Sequence, residues 1–133
     1  MNRDIKIKYV LQHGETGRIC SKVFTLEEIE RGEFQQWFDK LSDTYYLIAK
    51  LQYTGLNDEN GNGDDIYEKD IMEFYAYGMH YIGIVEYHGS AFGIICKNTK
   101  VKASPFLDDA IDRHGAIKIG NIHENPEMME GME

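Results

Sequence analysis

The side chains best suited to chemistry crowd into one short loop. Asp58-x-Asn60-x-Asn62-Gly63-Asp64 sets oxygen-bearing side chains at alternate positions, with a glycine where the chain must turn sharply. That is the first half of a calcium-binding loop. The second half is missing. The last ligand position holds Lys69 instead of a bidentate Glu, Glu68 is displaced by one, and Asp65 stands where an apolar residue would dock. The flanks also have strand character. The stretch from Asp58 to Glu68 therefore reads as an acidic, Gly-rich hairpin loop with no metal expected. Calcium held by Asp58, Asn60, Asn62 and Asp64 is the alternative.

The remaining reactive residues form no constellation. His13, His80, His88, His114 and His123 show no pair at metal-ligand spacing, and neither Cys20 nor Cys96 has a neighbouring Cys or His. Cys96 and His88 could be paired on paper as nucleophile and base, but neither lies in a catalytic motif. Asp58, Asp64, Asp65, Glu68, Asp70 and Glu73 crowd together, and crowding alone does not make a general acid. No phosphate-binding glycine loop with a Lys and no dinucleotide fingerprint occurs. The expectation is a non-enzyme with no catalytic residues and no cofactor.

Tyrosine is the more suggestive residue. Of the 9 in the chain, most fall in β-rich runs, where alternation must put some rings outside. Tyr67, Tyr75, Tyr77 and Tyr87 are the candidate interaction residues, since tyrosine is amphipathic and enriched at interfaces. The competing reading is a Tyr-rich core edge.

Charge narrows the partners. The net charge is −9 over 133 residues. Residues 1–53 hold 8 Lys/Arg and 8 Asp/Glu, whereas residues 54–133 hold 6 against 15. The second part would repel a nucleic-acid backbone and suits a basic protein or self-association. A nucleic-acid-binding module using Lys6, Lys8, Arg18 and Lys22 is the alternative. No stretch is long and apolar enough to cross a bilayer, and the N-terminus lacks the apolar segment of a secretory signal. Two cysteines far apart read as free thiols in a reducing compartment. The expected location is cytoplasmic, with no membrane partner.

The elements that must position these residues follow from periodicity. Ile5, Ile7, Tyr9 and Leu11 alternate with polar residues as a half-buried strand, and Gly14-Glu15-Thr16-Gly17 turns it into a hairpin ending at Phe24. Thr25 and Glu28 form a capping box with Phe24 and Ile29 as staple, and Gly32 interrupts the first helix. Phe34, Trp37, Phe38 and Leu41 then share one helical face. A strand over 45–53 closes this part. Beyond it, strands are predicted over 71–77, 81–87, 91–97 and 116–122, with turns at Gly78 and at His88-Gly89-Ser90. Gly83 and Gly93 inside strands call for curvature or close backbone approach. Ser104-Pro105 is read as capping a short helix through Asp112. Asn125-Pro126-Glu127 reads as the start of a terminal helix, and the tail from Glu130 as frayed.

Several motifs in order resemble a known family. Tyr53-Thr54-Gly55-Leu56, the Asn57 to Asp65 loop, Ile66-Tyr67-Glu68-Lys69-Asp70-Ile71, the Gly83 to Tyr87 strand and Gly120-Asn121-Ile122-His123-Glu124-Asn125-Pro126-Glu127 together resemble the YopX-like proteins of phages and prophages. Lys69 stands where that pattern has Gly, and the loop is longer. The resemblance implies a phage or prophage accessory protein acting in the bacterial host's cytoplasm, and it implies no reaction. Read physically, the signatures are scaffold: a turn at Thr54-Gly55-Leu56, Asp70 bonding nearby backbone amides, and Asn125-Pro126 starting a helix.

The fold expected is α+β. An α+β hairpin–helix–strand subdomain over 1–53 is joined to an acidic, small, curved SH3-like β-barrel subdomain over 54–133 with a short C-terminal helix. The function expected is a protein-interaction or self-assembling module, possible as a homo-oligomer.

Overall fold

The computed structural model describes residues 5–88, 91–96 and 105–129. The chain is mostly strand, in antiparallel sheets, with few and short helices. It divides into two units, Met1–Gly55 and Leu56–Glu133, two residues beyond the boundary drawn from the change in charge.

In the first unit, β1 (Lys6–His13) pairs antiparallel with β2 (Ile19–Thr25) and, on its other side, with β3 (Tyr45–Asn57), whose last residues enter the second unit. The register of β1 against β3 slips at Val10/Leu11, a bulge that raises local twist. Thr25 caps α1 (Leu26–Glu30) with the full reciprocal box: its hydroxyl accepts the Glu28 N–H at 3.2 Å, and Glu28 accepts the Thr25 N–H at 2.8 Å. Gly32, at φ 82°, starts α2 (Glu33–Asp39). Leu41 of the predicted helical face falls just past its end. The face docks as aromatic packing: Phe34 stacks on Tyr9 with ring centroids 3.8 Å apart, and Phe34 and Trp37 both meet Phe24.

The second unit begins with the acidic loop and the short β4 (Asp65–Tyr67), a strand that periodicity does not reveal because it is three residues long. Next come β5 (Asp70–Ala76), β6 (Met79–His88), β7 (Ala91–Cys96), α3 (Leu107–His114) and β8 (Ile117–Asn121), then a 3₁₀ turn, Pro126–Met129. The last four strands form an antiparallel sheet in the order β7-β6-β5-β8. α3 lies against one face of it. Its Leu107, Ala110 and Ile111 join Met72, Phe74, Ala76, Tyr81, Val85 and Ile94 in one apolar core. Burying these side chains, at about 25 cal/mol per Å² of apolar surface, is the main force holding this unit.

Gly83 marks a close approach, as expected. A Cβ there would meet the Ile95 carbonyl at 2.7 Å and Ile94 Cγ2 at 2.6 Å. The barrel expectation is corrected. β7 and β8 are the two edges of an open sheet, and among the described residues no pairing closes them. Gly93 of β7 forms an isolated antiparallel bridge with Phe106, which covers only part of that edge.

The terminal helix is also corrected to a single 3₁₀ turn. Asn125 precedes it, but its side chain reaches back to the Asn121 N–H at 3.1 Å. α3 starts after Phe106, with no side-chain cap. Ser104, Lys97, the Gly89-Ser90 part of the turn and the tail from Glu130 lie outside the described residues.

Candidate functional site

The family-like segments meet at one buried carboxylate. Asp70 opens β5 and is 0% exposed. Its Oδ2 accepts the Tyr67 N–H at 2.7 Å, closing the tight turn between β4 and β5, and faces Lys118 Nζ at 3.2 Å. Its Oδ1 accepts the Asn121 amide at 2.9 Å. Asn121 Oδ1 in turn accepts the His123 N–H at 2.9 Å. Two segments about fifty residues apart in sequence are thus tied by a network in which every stated polar group is matched, the condition that makes a buried polar cluster specify one fold. The backbone-bonding role expected of Asp70 is present. Lys118 has no counterpart in the sequence reading, because only the β5–β8 pairing brings it to Asp70.

Lys69, the residue standing in the family's Gly position, has φ 68°. Its N–H donates to the Val85 carbonyl at 2.8 Å, its carbonyl accepts from Ile122 at 2.9 Å, and its ammonium pairs with Glu86. The backbone is held from both sides in a left-handed conformation that a β-carbon disfavours.

The acidic loop closes on itself and on α3. The Asp58 N–H donates to the Asp64 carbonyl at 2.8 Å, and the Asp58 carbonyl accepts from Gly61 at 3.1 Å and Gly63 at 2.8 Å. Asp58 is 2% exposed; its Oδ2 accepts the Asn62 N–H at 3.3 Å, and its Oδ1 has no partner among the described residues. Asn60 Nδ2 donates to the Ile111 carbonyl at 2.8 Å and to the Ala116 carbonyl at 3.3 Å. It thereby satisfies the Ile111 carbonyl, which the C-terminal end of α3 leaves open, and bonds the segment just past the helix. Asn62 and Asp64 face solvent. Among the described residues, no group of three or more His, Cys, Asp or Glu side chains is placed to hold a metal ion.

The candidate tyrosines separate into three places. Tyr75 and Tyr77 are both at the β5–β6 hairpin, 66% and 84% exposed; Met79 is exposed there too, on the α3 face with its partner Ala76, opposite the face of Tyr75. Tyr75 stacks on its cross-strand partner His80 at 4.7 Å, and His80 Nε2 lies 2.8 Å from Glu73 Oε2. The two-residue turn is Tyr77-Gly78, with φ 53° and 73°. Hairpin turns with two positive φ values are ordinarily made by Asn or Gly, so a large aromatic at the first position is an outlier. Its ring lies 5.7 Å from that of His114. Tyr87 is also exposed, and packs edge-on to Phe92. It stands at the far end of β6 on the opposite face from Tyr75, more than about 20 Å along the strand. Tyr67 is 4% exposed and belongs to the interior.

The basic hairpin side chains do not converge. Lys6 and Lys8 share one face of β1, while Lys22, opposite Tyr9, lies on the other, over the Phe24 and Trp37 rings. Cys96 and Cys20 are free thiols. Burial pushes the Cys96 thiol up to about 11, the reverse of what an attacking thiolate needs. The His88 side chain lies outside the described residues.

Comparison with known proteins places the chain. A family model described as YopX protein matches residues 5–130. None of the curated proteins matches. The crystal structure of protein EF1440 from Enterococcus faecalis is similar at 24% identity, covering 93% of this chain and 79% of that one, with a TM-score of 0.43. The family match spans nearly the whole chain, and the chain belongs to the YopX protein family.

Proposed function

We propose that this protein is a non-enzymatic interaction module, a phage or prophage accessory protein of the bacterial cytoplasm, whose acidic second unit meets another protein or a second copy of itself. The observation that carries the reading is the aromatic hairpin. Tyr75, Tyr77 and Met79 are all exposed at this hairpin, Met79 and the Tyr77 ring on the α3 side and Tyr75 on the other face, and Tyr77 occupies a backbone conformation that stability alone would give to Asn or Gly. Large exposed apolar side chains gathered at one sheet end suit docking, and tyrosine contributes large contact area at low entropic cost. The charge of residues 54–133, 6 basic against 15 acidic side chains, favours a basic protein as the hetero-partner. No helix among the described residues is long and apolar enough to cross a membrane.

The test is light scattering coupled to gel filtration, with capture from host lysate in parallel, on the wild type and Tyr75→Ser. The expected result is a species heavier than the 15.4 kDa monomer, or a captured protein, that Tyr75→Ser diminishes. A monomer that captures nothing, or association that Tyr75→Ser leaves intact, defeats the reading.

A further inference from the structure

A cleft of about 120 Å³ lies between the acidic loop and α3. Leu56 and Ile111 give it apolar lining, and Glu59, Asp108 and Asp112 bring three carboxylates to it. The Asn60 amide bonded to the Ile111 carbonyl holds the loop against the helix, so the cleft is built before any ligand arrives. Its charges do not serve the fold equally: Asp108 lies in the first turn of α3, where the helix end favours an anion, and accepts the Asp109 N–H at 2.9 Å, whereas Asp112 has no such support. Asp108 and Asp112 are a like-charge pair one turn apart, which opposes the helix. Asp112 also sits in the last half of α3, where the helix end disfavours an anion.

Nothing described in this unit neutralises them. Lys69 is paired with Glu86, Lys118 with Asp70 and Arg113 with Asp109. The row beside the cleft thus carries an i,i+4 ion pair, Asp109 with Arg113, while the cleft row carries only acid. An apolar lining with carboxylates that no cation among the described residues pairs is the complement of a long basic side chain, which buries a hydrocarbon stem and keeps its cationic head at the polar edge.

We propose that this cleft receives a lysine or arginine side chain from a basic segment of a partner protein. The proposal rests on the protein-interaction reading above and adds a second contact to it, one that does not use the tyrosines.

The experiment titrates hexa-arginine peptide into the full-length protein at low salt, following backbone amide NMR shifts. Wild type is compared with Asp108→Asn/Asp112→Asn, and with the control Glu27→Gln/Glu30→Gln, which removes the same charge from exposed positions of the first unit. Shifts centred on Leu56, Ile111 and Asp112 are expected. The cleft variant should bind about tenfold more weakly, the loss of two partly exposed charge contacts, while the control binds as wild type does. Both substituted pairs are on the surface, and the cleft variant should melt no lower than wild type. Failure of wild type to bind, or equal weakening in both variants, overturns the proposal. That outcome leaves the tyrosine hairpin to its own test, since Tyr75→Ser alters no cleft residue. Conversely, binding here with association unmoved by Tyr75→Ser sinks the hairpin alone.

Discussion

At Lys69 two effects oppose each other and can be separated. Its left-handed backbone (φ 68°) costs roughly 1 kcal/mol for a residue with a β-carbon. Its ion pair with Glu86, with both side chains more than a third exposed, returns at most about 1 kcal/mol. Lys69→Ala keeps the strain and loses the pair; Lys69→Gly loses both. Allowing for the greater freedom of an unfolded glycine, Lys69→Gly should be more stable than Lys69→Ala by about 0.5–1 kcal/mol in urea unfolding. Lys69→Gly less stable than Lys69→Ala would mean that the turn is unstrained. The residue scale also shows where sequence reading stops. The mismatch of Lys69 with a glycine position is visible in the motif, and so is the backbone-bonding character of Asp70. The roles of Lys118 and Asn121 are not, because they arise only when β8 lies beside β5.

Among the elements, α1 depends most plainly on a local signal. It has five residues and buries none of them, so it is too short to persist by helix propensity. The Thr25–Glu28 box and the staple positions were legible because capping is a contact between near neighbours. Thr25→Ala should cost about 1 kcal/mol, and Thr25→Ser far less. The Thr25 backbone N–H, and next its hydroxyl, hold the Glu28 carboxyl below the usual carboxylate range. A lowered folded value means that this contribution is present above the unfolded value and disappears as pH falls through the folded one. The gap between wild type and Glu28→Ala in urea melts should therefore narrow from pH 7 to roughly pH 2.5. A gap that stays constant would take Glu28 out of the cap. The strands were legible from period-two patterning for the same local reason. Barrel closure was not, since bent strands with glycines are equally at home in an open sheet, and only long-range pairing decides between them.

For the whole molecule, the charge changes from a neutral first part to an acidic second part, and the chain divides into the units Met1–Gly55 and Leu56–Glu133. The tyrosine count announced a surface without saying which rings would form it. Tyr67, Tyr75, Tyr77 and Tyr87 look alike in sequence, yet one is interior, one stands alone at the far end of β6, and two share a hairpin. Tyr77 makes the decisive variant because its two roles pull in opposite directions. Asn is at ease with φ 53° in this turn, and at 84% exposure the ring gives up little burial. Its remaining contact is with the His114 ring, 5.7 Å away, worth at most about 0.5 kcal/mol at such a surface. Tyr77→Asn should therefore stabilise the fold by about 0.5–1 kcal/mol while weakening association, both read on the same preparation by urea unfolding and light scattering. A protein that becomes firmer and binds less has kept a strained aromatic for contact. If stability rises and association is untouched, Tyr77 is only the tip of a turn, and the surface has to be sought elsewhere on the second unit. If stability falls, the His114 contact outweighs the strain, and the ring is there to hold the hairpin against α3.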